Sequence, residues 1–334
     1  MGKEMHSPHK ITFMKKILSY FCTLITLLFL LACEKHSETL VLYTSQPGKE
    51  IAELLEAFQK KYPNIKIEVF RSGTTEVLNK VFSEAQKGEV HPDLIMISDI
   101  VAMESLSQKG ILQFMDIDLS KFPSTLYSAD KTYCGTKKIN MGIIYRKGLS
   151  PVPVSFSDLT KPEYKDKVVI ASPFYSGASA LTLYVLIENP TLGWSFYKKL
   201  KANGATIVKG HKEVVESITN GKKSIGIVSD FLAFNAKEKG SPIEFAYPKE
   251  GIITLTEPIA FIKKKGASKD HLENARKFVE FVLSHEGQNL AKKQGYMPIL
   301  EANQLGNKTI SINTEQLLAD IEVNKKEFGK LFNH

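Results

Sequence analysis

The chain has 334 residues, 43% of them hydrophobic, 24% charged and 10% aromatic, with 21 Gly and 14 Pro. That is the make-up of a packed globular protein of about two domains and excludes a disordered or collagen-like chain. Three cysteines exclude a disulfide-dense scaffold. The formal charge of +8 is local or dispersed: Arg71, Arg146 and Arg276 are the only arginines, and no basic stripe with interleaved aromatics exists, so nucleic acid is not a partner.

Lys15-Lys16 precedes an apolar run from Ile17 to Leu31 that ends in Leu30-Leu31-Ala32-Cys33 and then polar Glu34-Lys35-His36. A spanning helix needs about 20 apolar residues, so this shorter run with a small-residue end predicts a cleaved export signal over 1–32. The Leu-Leu-Ala-Cys ending resembles a bacterial lipobox, which implies cleavage before Cys33 and its lipidation. An ordinary signal with a cysteine at its boundary is the alternative. Met14-Lys15-Lys16 is itself a conventional signal start, and the expectation is that residues 1–13 are an upstream misassigned start. Without residues 1–32 the chain keeps 40 basic and 35 acidic residues. Cys134 then stands alone, a small apolar filler with no disulfide partner.

From residue 40 short β-rich runs alternate with helical patterns, which predicts an α/β fold on open sheets. Strand 39–45 turns through Gln46-Pro47-Gly48 into a helix with Ile51, Leu54, Leu55 and Phe58 at the helical period. Strand 65–70 leads through Arg71-Ser72-Gly73-Thr74-Thr75-Glu76 into a helix bearing Val77, Leu78, Val81 and Phe82. The near-continuous apolar run 93–99 predicts a strand buried on both faces, followed by a helix with Met103, Leu106 and Ile111. A long strand over 139–145 and Pro151-Val152-Pro153 pass into a second lobe. There a helix over 157–164 leads to strand 167–171, and Ser172-Pro173-Phe174-Tyr175-Ser176-Gly177-Ala178-Ser179 opens another helix. Helix 193–202 and strands 205–208, 224–228 and 243–247 follow. The run 251–263, interrupted at Pro258, crosses back, helices 271–283 and 284–294 close the first lobe, and helix 313–331 ends on the second.

Three segments share one construction, a strand end running into a helix start through Ser, Thr or Gly: 43–47, 71–76 and 175–179. Helix starts expose unpaired N–H groups and a positive dipole end, hydroxyls add donors, and Gly admits close backbone approach, so together the three suit a phosphate or carboxylate. Each one alone reads first as a plain helix cap, and joint function is expected from the three together. Zinc-protease, nucleophile-elbow, Walker A and dinucleotide patterns are absent, which argues against an enzyme. His91, His211, His271 and His285 read as solvated surface histidines, and Trp194 as core.

The order and spacing of Leu40-Val41-Leu42-Tyr43-Thr44-Ser45, Arg71 to Glu76, Phe156-Ser157-Asp158-Leu159, Ser172 to Ala178, Tyr247-Pro248-Lys249-Glu250-Gly251, Ala275 to Val279 and Ser284 to Gln288 resemble the type-II solute-binding proteins of ABC importers. The resemblance covers about 40–300 and is closest to the ferric-iron, 2-aminoethylphosphonate and hexose-phosphate group. It implies a periplasmic or cell-envelope receptor, monomeric and without cofactor or catalytic residues, that traps a solute between two α/β lobes and delivers it to a membrane permease. Lobe 1 is then 40–138 plus 258–298 and lobe 2 is 139–257 plus 299–334, after a linker at 33–39; a lipid on Cys33 tethers the receptor near its permease.

By the same resemblance, Ser45, Ser72, Gly73, Thr74, Thr75, Ser176, Gly177 and Ala178 cradle an anion, and Asp99, Asp230 and Glu257 meet the other end of the ligand. Ferric members typically carry a Tyr-Tyr pair after a Gly-Ile-Val-like strand. Here Gly226-Ile227-Val228-Ser229 is followed by Asp230-Phe231, and phenylalanine cannot ligate a metal, although Tyr43, Tyr145 and Tyr175 remain as other tyrosines. A small anionic organophosphorus solute of the 2-aminoethylphosphonate kind is the expectation. Ferric iron, a hexose phosphate and, from another class, a secreted hydrolase are the alternatives.

Overall fold

Strand β1 (Leu40–Thr44), helix α1 (Gly48–Lys61), β2 (Ile67–Arg71), α2 (Thr74–Lys87), β3 (Leu94–Met96) and α3 (Ile100–Gln108) open the fold. They belong to a computed structural model that describes residues 39–299, 309, 310, 312 and 314–333. The export segment 1–32, the lipidation candidate Cys33 and residues 34–38 lie outside the described residues. Among the described residues no helix is long and apolar enough to cross a membrane.

β1 pairs in parallel with both β2 and β3. Side chains alternate across a strand, so Leu94 and Met96 face one way and Ile95 and Ile97 the other. The first pair packs with Leu40, Leu42, Leu54, Phe58 and Phe278, and the second with Tyr43, Val77, Val81, Met103 and Leu106. This half of the sheet is therefore covered by helices on both faces, which explains the unbroken apolar run of β3.

Two long strands carry the sheet across. β5 (Tyr133–Arg146) follows the short β4 (Leu112–Gln113), and β10 (Ile253–Ile262) runs antiparallel beside it from Ile253↔Met141 to Ala260↔Tyr133. One end of β10 pairs β3, while the far end of β5 pairs β8 (Ile225–Ser229). The register slips between Glu257 and Pro258, where proline cannot donate to the ladder. β8 pairs in parallel with β6 (Val168–Ala171), and β6 with β7 (Thr206–Val208).

Helices α4 (Gly177–Glu188), α5 (Gly193–Ala202), α6 (His211–Thr219) and α7 (Asp230–Glu238) flank this second part. Val168, Ile170, Ile225 and Ile227 pack with α4 and α5, and Val169, Ala171 and Val228 with α6. Strand β9 (Ile243–Ala246) joins β5, and α8 (Lys269–Leu283), α9 (His285–Lys293) and β11 (Met297–Pro298) complete the first part. The last helix, α10 (Thr314–Phe332), packs on α4 and α5 and also touches α3. The whole is an α/β fold of two sheet halves, each flanked by helices and joined by the crossing strands β5 and β10.

Two expectations are corrected. The helix expected over 157–164 is a pair of 3-10 turns, Phe156–Thr160 and Pro162–Tyr164. Pro162 holds Lys161 extended, at φ −72 and ψ 148, and so interrupts the helix. His271 is buried and His211 half-buried, so neither is a free surface ring. The His271 ring lies 2.7 Å from Asp93 Oδ1 and His271 is 9% exposed, and His211 lies between two serines as described below.

Candidate ligand-binding site

The starts of α2 and α4 face each other across the two halves. Gly73 is the N-cap of α2, and a Cβ there would lie 3.2 Å from the Tyr175 carbonyl oxygen. Thr75 Oγ1 donates to the Phe174 carbonyl, and Thr74 is buried. Ser176 caps α4 by accepting the Ser179 N–H at 3.2 Å, followed by Gly177 and the buried Ala178. Gly177 presses on the end of β3: an added Cβ would sit 2.6 Å from the Ser98 carbonyl oxygen and 2.7 Å from Asp99 Cβ. Only glycine allows that approach. Ser45 joins the same rim, its hydroxyl accepting the Ser98 N–H at 3.3 Å.

An ion pair stands at the rim. Glu76, in the first turn of α2, accepts from Lys209 Nζ at 2.8 Å and from the Ser72 hydroxyl. The lysine, then Ser72, and the Gly73 N–H hold its carboxyl down at about 2. Asp99 caps α3 by accepting the Ala102 N–H at 2.9 Å, and burial pushes its carboxyl above the usual range. Asp99 and Gly177 also line a cavity of about 130 Å³ with Thr254, Thr256, Ile312 and Ile321.

From that cavity a polar chain runs across the crossing strands. Thr254 Oγ1 donates to Asn140 Oδ1 at 2.8 Å, and Asn140 Nδ2 donates to Asp230 Oδ2 at 2.8 Å. Tyr247 OH donates to the same oxygen at 3.0 Å, while the Asn140 and Phe231 N–H groups donate to Oδ1. Burial raises the Asp230 carboxyl despite these donors. Phe231 stacks on Tyr296 with ring centroids 4.2 Å apart. Tyr43, one of the other tyrosines, donates its hydroxyl to Glu84 at 2.8 Å.

Glu257 lies deeper, on β10 opposite Lys137 of β5, with Lys137 Nζ 3.5 Å from Oε2. Lys137 Nζ also sits 4.0 Å from the Tyr296 ring centre, and burial lowers the lysine. Tyr296 is pushed well up by burial and then by the neighbouring Glu257, Glu50 and Asp230 carboxylates. Three buried acceptors here, Glu257 Oε1, Glu50 Oε2 and Gln46 Oε1, have no hydrogen-bond partner among the described residues. Buried polar atoms are almost always paired, so three orphans in one region call for donors from elsewhere.

The bacterial extracellular solute-binding protein model matches residues 90–315, about two thirds of the chain. The chain belongs to that family. An uncharacterized protein of Haemophilus influenzae is 28% identical over 271 residues, covering 77% of this chain and 76% of the relative. The phosphoglycerate transport regulatory protein PgtC of Salmonella typhimurium is 23% identical over 268 residues, 78% of this chain and 65% of that protein, a little under two thirds of its length. Among solved structures, the periplasmic binding protein AfuA of Actinobacillus pleuropneumoniae, with fructose-6-phosphate bound, superposes with a TM-score of 0.78 at 20% identity, covering 88% of this chain and 98% of that one. The fold is accordingly the two-lobed type-II binding-protein fold, shared with this periplasmic binding protein.

In this solute-binding protein the structure thus brings Ser45, Ser72, Gly73, Thr74, Thr75, Asp99, Ser176, Gly177 and Ala178 to one rim, with Asp230 linked through Asn140 and Thr254. Glu257 falls instead in the deeper acidic group with Glu50 and Lys137. Sequence reasoning missed Lys209, Lys137 and His211 as members of these groups. His211 Nε2 lies 2.9 Å from Ser179 Oγ and Nδ1 lies 3.5 Å from Ser229 Oγ, and burial pushes the ring down to about 4, so it is neutral at pH 7. Lys137 lies in the Gly135-Thr136-Lys137-Lys138 stretch, outside the strand expected over 139–145. Nothing in the spacing marks Lys209 or His211.

Proposed function

We propose that the protein is a lipid-anchored receptor that captures a small organophosphorus anion with an amino or hydroxyl end, of the 2-aminoethylphosphonate kind, and delivers it to an ABC permease. The lobes are 40–138 plus 258–298 and 139–257 plus 299–334, with Cys33 as the lipid site and the envelope as location. The observation that carries the reading is the juxtaposition of a hydroxyl- and glycine-lined rim with an acidic group holding orphaned acceptors. The segment Ser45-Gln46 belongs to both, since Ser45 stands at the rim and Gln46 shares a small cavity with Lys137. Helix starts suit the phosphonyl oxygens, and the carboxylates suit an ammonium or hydroxyl donor. Relatives named for phosphoglycerate transport and described with fructose-6-phosphate support a phosphorylated solute. Closure is then a population shift toward the state that makes both sets of contacts.

Thermal unfolding with 2-aminoethylphosphonate at about a hundred times a micromolar dissociation constant tests this, because binding at that excess adds about 2.7 kcal/mol. The melting point rises with the phosphonate and not with inorganic sulfate. A rise with ferric iron or a hexose phosphate alone replaces the ligand, and phosphorus-ester hydrolysis by the purified protein replaces the class.

A further inference from the structure

Glu76 holds the corner of the rim where an oxyanion is expected. Its carboxylate takes the Ser72 hydroxyl and, from the other half of the molecule, Lys209 Nζ at 2.8 Å. Ser72 comes from the same turn of chain, four residues away. Lys209 does not: it lies 133 residues further on, beyond β7, and its ammonium also stands 5.4 Å from the Tyr175 ring centre. A hydroxyl and a lysine gathered around one carboxylate at a helix start are donors that a phosphoryl group uses.

We propose that Glu76 is a resident carboxylate in the anion seat, and that an oxyanion solute is captured by exchange with it, taking over Lys209 and the Ser72 hydroxyl. The inference rests on the oxyanion reading above and adds the competitor and its consequence for selectivity. A monoanionic carboxylate gains little by replacing another carboxylate. A dianionic phosphoryl or phosphonyl head brings more charge to the same donors, so the seat selects doubly charged heads.

A plain clamp, in which Glu76 and Lys209 only tie the halves together, makes the opposite prediction. Glu76→Gln keeps an acceptor for the Ser72 hydroxyl but removes the charge. Under exchange it binds inorganic phosphate and 2-aminoethylphosphonate about tenfold more tightly than the wild type, since one like charge has left the seat. Under clamping it binds them more weakly, because closure has lost a contact.

Isothermal titration of the purified protein, its Glu76→Gln and Glu76→Ala variants and Lys209→Gln reads the direction, with melting curves verifying that each variant is folded. Tighter binding in either Glu76 variant together with weaker binding in Lys209→Gln supports exchange. Equal or weaker binding in both Glu76 variants overturns it. Failure of the oxyanion reading looks different, because then neither phosphorus anion binds to the wild type or to any variant.

Discussion

The rim and the deeper acidic group are both polar, yet they are built in opposite ways. At the rim, Ser176 answers a backbone N–H, Asp99 caps α3, and Glu76 is matched by Lys209, so the local groups are paired with one another. In the acidic group Lys137 serves Glu257 at 3.5 Å, while Glu257 Oε1, Glu50 Oε2 and Gln46 Oε1 have no partner among the described residues. Paired donors at a helix start can be exchanged for a ligand's oxygens at little cost, whereas orphaned buried acceptors favour any donor that reaches them. Under the proposed function, that difference would send the oxyanion of a bifunctional solute to the rim and its donor end to the carboxylates.

The largest break in that contrast comes from Lys137→Met, which leaves Glu257 buried without its counter-charge and lowers stability by about 3–5 kcal/mol in urea unfolding. Adding Glu257→Leu to it restores much of the loss; a single variant as stable as the wild type removes Lys137 from the account. Next is a pH effect. Folding depresses His211 from 6.5 to about 4, so the unfolded chain takes up the proton first. The stability tied to this ring is present above the ordinary imidazole range and is lost as pH falls toward the depressed value, by at most about 3 kcal/mol. His211→Gln should flatten the melting curve between those limits, and an unchanged acid slope would contradict the burial of the ring.

Two glycines sharpen the comparison within the rim. Gly177→Ala drives a methyl against the Ser98 carbonyl and Asp99, where a Cβ would stand at 2.6 and 2.7 Å. That overpacking costs about 1–3 kcal/mol and separates α4 from β3. Gly73→Ala meets the Tyr175 oxygen at 3.2 Å and should cost under about 1 kcal/mol, much as other alanine caps do. Equal effects in chemical denaturation would mean that the two helix starts do not differ in closeness of approach.

Much of the fold was legible because burial writes a local pattern. The run through Leu94, Ile95, Met96 and Ile97 is apolar on both faces because helices cover both, and the helical period of Ile51, Leu54 and Phe58 marks the face of α1 that packs on the sheet. The start of β5 was not legible. Gly135, Thr136, Lys137 and Lys138 look like a loop, and they are strand because β10 pairs with them from across the chain. The candidate rim residues were visible as cap chemistry at strand ends. The pairs that set its charge were not, since Glu76 and Lys209, or Lys137 and Glu257, meet only after the sheet is assembled, and sequence spacing carries no trace of that meeting.

The central claim, an oxyanion at the rim and a donor end at the carboxylates, is tested most directly by titrating 2-aminoethylphosphonate and ethylphosphonate into the same protein by calorimetry. The two share the anionic head and differ in the amine. The account predicts that the amino compound binds at least about a hundredfold more tightly, because a site with buried hydrogen-bonding groups rejects the analogue that leaves them unmatched. Equal affinities would contradict it and remove the acidic group from the solute site.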